Sequence, residues 1–399
     1  MPLLSPFLLF PIASFCVAFL LEFGLNWLAL IPWRRSVGKH WTERARLLFP
    51  ARRSAAEWGS LITGFIWFFG YIMVPDNFLS VGLFCFSGAR FAMFFFSREL
   101  NPSLRFSSWL RDTVGDFLLS SRWLFPVFVA TVVEIPPEFS PTTWLVAGGF
   151  CLLVLADGFG LGVRLLIWFR LLLPAGEKLI ALIANVSRKT GIPVADAWII
   201  RSSAANAYAC MLFSVRWVIF TDTLLSTLSD EQISAICVHE LEHFNDSRNM
   251  LFARIVVLCV FLVCVLLKPA FEFGSGESVW FVISICVGLL SLAGSLMAPM
   301  LRGMEERADR KARETRFDAG VYARTLARIY EVNQIPAVMP RRSFGAHPDL
   351  YDRMTAAGVT PDFPKPLPAE RWALQGSAAA VVWIAILVAA VIAALNFGR

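Results

Sequence analysis

A mainly α-helical, polytopic membrane protein carrying one small β-sheet is the fold class this sequence predicts. Three observations lead there. Hydrophobic residues make up 57% of the 399 and charged ones 17%, against about 25% charged in an ordinary soluble chain. Mean hydropathy is +0.62. Apolar stretches long enough to span a bilayer, roughly 17–25 residues, recur about eight times, and between them lie two polar segments with mixed helix and strand patterns. The composition excludes a disordered chain, a collagen-like repeat and a secreted disulfide scaffold.

The apolar stretches fall near 6–32, 58–74, 78–97, 122–137, 143–170, 251–270, 279–301 and 377–396. The fourth is short and contains Pro126. The first lacks the basic leader of a cleavable signal and is expected to stay as a membrane helix. Arg34, Arg35, Lys39, Arg44, Arg46, Arg52 and Arg53 follow it, and Arg98, Arg105 and Arg111 lie on the next connection of the same side. Opposite connections carry Asp76, Glu138, Glu272 and Glu277, so the basic side is cytoplasmic. That organisation gives an N-terminal region of about five spans (1–170), a cytoplasmic part (171–250), a transmembrane pair (251–301), a second cytoplasmic part (302–375) and a final helix (376–399). The net charge of +6 then orients the chain in the lipid bilayer and calls for no nucleic acid. The eight cysteines lie mostly in apolar runs and read as reduced, small hydrophobes. Arg90, Asp157 and Arg164 fall in or near spans, where an internal ion pair or snorkelling accounts for them.

The first cytoplasmic part reads as a folded unit. Residues 177–189 have helical apolar spacing and end at Gly191, a helix-stop residue followed by Pro193. Strand patterns cover 196–201, 207–213 and 216–221. A further helix begins after Ser229, with Gln232 placed to complete a capping box. Residues 361–368, rich in proline, read as a spacer before the last span.

On the capped helix stands His239-Glu240-Leu241-Glu242-His243. Imidazoles four residues apart share a helix face and can reach one Zn²⁺, while Glu240 is offset to act as general base on a water. The chain has only four histidines, and three of them lie in the two polar segments. A catalytic zinc needs a third protein ligand and an open position. Glu305 and Asp309 share a helix face beyond the transmembrane pair, so Glu305 can bind metal while Asp309 orients a ligand histidine. Glu306 competes for the first role, and the spacing to Asp309 favours Glu305. Taken alone, this segment reads as a mixed-charge juxtamembrane helix. Further on, His347-Pro348 with Arg353 would place hydrogen-bond donors near an oxyanion; taken alone it reads as a loop entering a helix.

Together these pieces resemble the integral membrane zinc metallopeptidases that include HtpX-type proteases and CAAX prenyl endopeptidases. The family pattern is H-E-x-x-H, two membrane helices, E-x-x-x-D, then H-P with an Arg six residues after the His, and every part is present in order. Upstream, Gly191-Ile192-Pro193, Asn206-Ala207-Tyr208-Ala209 and the run from Thr221 to Gln232 resemble the family too, so the likeness covers about 172–355. The resemblance implies a gluzincin-like catalytic unit with one Zn²⁺ held by His239, His243 and Glu305. It implies Glu240 as base, and His347 and Arg353 as transition-state groups. It also implies that Asn206, Ala207, Tyr208 and Ala209 form an exposed edge on which an extended polypeptide substrate pairs as an added strand.

Glu242 departs from the pattern, standing where the family has a small residue; its longer side chain is expected to crowd the helix or narrow the cleft. Two other roles fit the same sequence. A signal-transducing metallopeptidase would be expected to add a sensor domain outside the membrane, for which little chain follows the last span. A non-catalytic scaffold or transporter would not need the ligand set together with its base. The expectation is an endopeptidase acting on membrane or membrane-associated proteins from the cytoplasmic face of a bacterial plasma membrane.

Overall fold

The computed structural model describes residues 6–73, 78–116, 118–119, 140–211, 216–253, 255–256, 259–260, 263, 278–314, 319–340 and 349–370. The expected spans near 122–137 and 377–396, most of that near 251–270, and His347 lie outside them. The chain divides into two compact units. One comprises 1–109, 334–343 and 363–399; the other comprises 110–333 and 344–362.

The first unit is built on α1 (Pro6–Ala29), the short α2 (Ile31–Arg34), α3 (Trp41–Met73) and α4 (Phe78–Leu100). Phe19 and Phe23 of α1 pack tilted or edge-on against Phe91 and Phe95 of α4, with ring centroids 5.6–5.9 Å apart. Gly88 lets the two backbones approach: a β-carbon there would collide with the Phe15 carbonyl. Leu20, Trp27, Leu83 and Phe86 are exposed on the outside of this bundle, which is costly in water and ordinary in lipid. The stretches Phe10–Ala29 and Ser80–Leu100 are long and apolar enough to cross a bilayer. The expected spans near 58–74 and 279–301 lie within longer helices, Trp41–Met73 and Ser278–Glu314.

Two arginines and one acid stand out among the charges in the expected spans. Arg90 is exposed over the Phe86 ring, and Arg164 is exposed as well. Glu22, which the sequence pattern does not single out, is fully buried, accepts a hydrogen bond from Asn26 at 3.1 Å and backs onto Gly59.

The second unit begins with α5 (Phe106–Asp116, which the boundary between units crosses) and continues through α6 (Pro141–Gly158) and α7 (Leu161–Trp168). One continuous span near 143–170 is therefore not observed. Gly160 sits at φ +91°, outside the helical region, and breaks it into two helices. A four-stranded sheet follows, in the order β1 (Leu172–Pro174), β2 (Asp196–Ile200), β4 (Arg216–Thr221), β3 (Ala207–Met211). The β2–β4 pair is parallel and the outer pairs are antiparallel. Period-2 alternation gives the sheet two apolar faces. Ile200, Cys210, Trp217 and Ile219 pack with Val163 and Leu166 of α7, while Val218 and Phe220, both fully buried, point the other way.

Between β1 and β2 runs α8 (Glu177–Thr190), stopped by Gly191 at φ +71°, a left-handed cap that a side chain would strain. After β4 come α9 (Asp222–Thr227) and α10 (Asp230–Glu242). The Ser229 hydroxyl takes the Gln232 N–H, and the Gln232 side chain takes the Ser229 N–H. This reciprocal cap fixes where α10 starts and hence which residues face the sheet. The unit closes with α11 (Ser278–Glu314), α12 (Ala319–Asn333) and α13 (Leu350–Ala356). Asn333, at the end of α12, clamps both backbone groups of Ala205 at 2.8 Å beside the entry to β3.

Candidate metal centre

The α10 helix buries Ile233, Ile236, Cys237 and Leu241, and that burial turns His239 and His243 towards α11. The imidazole centroids lie 5.0 Å apart at nearly a right angle. His239 Nε2 lies 3.4 Å from Glu305 Oε2, and His243 Nε2 lies 3.7 Å from Glu305 Oε1. All three donor atoms fall within 4.8 Å of one another. Two ligands about 2.1 Å from a tetrahedral zinc are separated by about 3.4 Å, so the spacings suit one small cation. Two imidazoles and a carboxylate are also the donor set of catalytic zinc sites. Glu305, not Glu306, is the acidic group in this cluster.

Behind the histidines lies a buried polar network. Asp309, one turn after Glu305, places Oδ1 at 3.2 Å from His239 Nδ1. Arg353 donates to both Asp309 oxygens, from Nε at 2.7 Å and from Nη2 at 2.5 Å. The sequence reading did not include Tyr322. Its hydroxyl lies 2.8 Å from His239 Nδ1, donates to Asp309 Oδ1 at 2.6 Å and accepts from Arg353 Nη2 at 3.0 Å. A signal for it exists in the composition: the chain has 36 Phe and only five Tyr, so a hydroxyl on an interior helix face stands out. Arg353, for which the resemblance implies a transition-state role, is 6% exposed, and its guanidinium is engaged with Asp309 and Tyr322.

These contacts set the local charges. Burial opposes a charge on His239, but the Asp309 and Glu305 carboxylates outweigh it and hold the imidazole up at about 9. Burial pushes Glu240 up to about 7, with His239 and the Ala209 N–H pulling the other way and Glu305 adding to the rise. For Asp309, burial is overcome by hydrogen bonds and charges from His239 and Arg353, so its carboxyl sits well below the ordinary range. The site thus holds a proton on His239 that a cation must displace.

The remaining expected positions separate into three groups. Ala207, Tyr208 and Ala209 lie on β3, the outermost strand of the sheet, and Asn206 precedes it with its backbone tied to Thr221. Glu242 is partly exposed and accepts from Asn245 at 3.0 Å, so the expected crowding inside the helix packing does not occur. His347 falls outside the described residues. A further link joins the two sides of the cluster: Arg307, two residues after Glu305, pairs at 2.5 Å with Asp246, three residues after His243.

Residues 175–359 match the model of peptidase family M48. The chain carries a peptidase family M48 domain. This bears out the resemblance read from the motifs, and the M48 domain contains every residue of the cluster. The protein named Protease HtpX homolog from Polynucleobacter necessarius subsp. necessarius (strain STIR1) is 26% identical over 202 residues, covering 48% of this chain and 69% of that one. The crystal structure of S. mikatae Ste24p is similar in fold, with a TM-score of 0.53 and 17% identity over 88% of this chain and 99% of that one. The fold likeness therefore extends well beyond the M48 domain into the N-terminal helices.

Proposed function

We propose that the protein is a membrane-embedded zinc metalloendopeptidase that hydrolyses peptide bonds of membrane or membrane-associated polypeptides at the cytoplasmic face, in a bacterial plasma membrane. The observation that carries this reading is the convergence of His239, His243 and Glu305, with Glu240 next to the first ligand, inside an M48 domain. The two helices of membrane-spanning length support the location.

In this reading His239, His243 and Glu305 hold one Zn²⁺. When bound, the ion supplies a Lewis acid and brings the pKa of water down to about 7. Glu240 takes a proton from the attacking water and passes it to the leaving amine; a carboxyl near neutral pKa suits both transfers. The edge of β3, with Asn206 to Ala209, binds the substrate backbone as an added strand, so recognition rests on the peptide chain rather than on one side chain. His347 supports the developing oxyanion. Arg353 contributes by holding Asp309, and through it His239, in place.

The test is metal content with proteolysis on the full chain purified in detergent. One zinc per chain is expected, with cleavage of an unfolded polypeptide lost on chelation and restored by zinc. Full cleavage by a metal-free preparation would overturn the proposal.

A further inference from the structure

We propose that Tyr322 is a positioning residue that fixes the tautomer of His239: its phenol oxygen, rather than the Asp309 carboxylate directly, is the nearer acceptor of the His239 Nδ1–H, which leaves Nε2 as the metal-binding atom. This inference rests on the zinc reading above and assigns a role in it to a residue outside the ligand and base motifs.

The argument is an inventory of protons. Asp309 receives two N–H donors from Arg353, so it stands as a carboxylate and has no proton to give. The Tyr322–Asp309 contact at 2.6 Å therefore uses the single phenol proton. What remains on Tyr322 is a pair of acceptor sites. One takes Arg353 Nη2 at 3.0 Å, and the other faces His239 Nδ1 at 2.8 Å. With its proton spent, the phenol can only accept there, so Nδ1 keeps its proton and Nε2, which faces Glu305, is the nitrogen left to give up its own to a cation. The phenol's one proton and both its acceptor sites are then used. The direct His239–Asp309 separation of 3.2 Å is the longer alternative. Tyr322 is 3% exposed and its ring lies nearly parallel to that of His239, with centroids 5.9 Å apart, so packing limits rotation of the imidazole as well.

The experiment compares the full chain with Tyr322→Phe in detergent. Zinc affinity is read by chelator competition, metal-free melting temperature alongside it, and kcat and KM on zinc-saturated protein. Removing such a partner of a ligand histidine typically weakens metal binding about 10- to 100-fold. The expected result is a loss in that range, with KM unchanged and the metal-free protein folded. Equal zinc affinity in the two proteins would overturn the inference. In the unmodified, zinc-loaded protein, ¹⁵N-histidine spectra provide a reading that needs no variant: Nε2-bound, Nδ1-protonated His239 is expected, and Nδ1-bound His239 would overturn the inference. Failure of the unmodified chain to bind zinc at all would instead overturn the functional reading on which it rests.

Discussion

Replacing Arg353 by Met separates an anchoring role from a role in the cleft. The Arg353 and Asp309 side chains are 6% and 5% exposed, so the pair is screened little by solvent. The substitution deletes two charged hydrogen bonds to Asp309 and one to Tyr322. Charged hydrogen bonds contribute about 1.5–3 kcal/mol each, and removing one partner of a buried ion pair costs about 3–5 kcal/mol. For a domain of this size, 1 kcal/mol moves the midpoint by about 2–4 °C, so the metal-free protein should melt roughly 6–20 °C lower. Thermal unfolding with chelator present measures it, or the half-life at fixed temperature if unfolding is irreversible. Adding Asp309→Asn removes the orphaned charge and should recover part of the loss. A Met variant that melts within 2 °C of the parent (about 1 kcal/mol or less by that conversion) while losing activity would refute the anchoring argument and place the guanidinium in the cleft. A double variant no more stable than the single would refute the charge-burial argument.

Three further outcomes follow from the same geometry. Without metal, His239 has a folded pKa of about 9 against an ordinary 6.5, so its stabilisation is complete below 6.5 and lost as pH rises through 9. That contribution is about 3 kcal/mol. Glu240, raised to about 7 from 4.5, also favours the folded state less as pH rises. Chelated protein should therefore melt progressively lower between pH 5 and 9, and a midpoint that climbs over that range contradicts the assignment. Gly88→Ala drives a β-carbon into the Phe15 carbonyl; overpacking of this kind costs about 1–3 kcal/mol, so the yield of folded protein in membranes should fall, and an unchanged melting temperature would show that α1 and α4 do not pack as described. Ser229→Ala removes half of the capping box and should cost about 1 kcal/mol, measured by melting, with zinc content retained.

The elements around the metal centre were legible because each has a local cause. Ser229 and Gln232 announce the start of α10, Gly191 the end of α8, and alternating apolar residues the strands, so the sequence placed them within a residue or two. The His239, His243 and Glu305 cluster was legible for the same reason: His239 and His243 are one turn apart, and Glu305 and Asp309 repeat that spacing on another helix. What escaped depends on distant contacts. Tyr322 lies 83 positions from His239, and nothing in its own neighbourhood shows that its hydroxyl meets an imidazole. Arg353 was visible as a motif position, but its engagement with Asp309 appears only when α11 and α13 are packed. The break at Gly160 was hidden by an apolar run that continues across it, because hydropathy does not register a left-handed residue. Glu22 was masked in the same way, being one acid within an otherwise apolar α1.

The central claim is that Glu240 moves the protons of a hydrolytic step at a metal held by its neighbours. Glu240→Gln on the full chain in detergent, with zinc content and turnover of a polypeptide measured on the same preparation, tests it most directly. The account predicts zinc bound at the parental stoichiometry and turnover reduced by at least about 100-fold, the lower bound for loss of a general base. Undiminished turnover by the zinc-loaded Gln variant would contradict it.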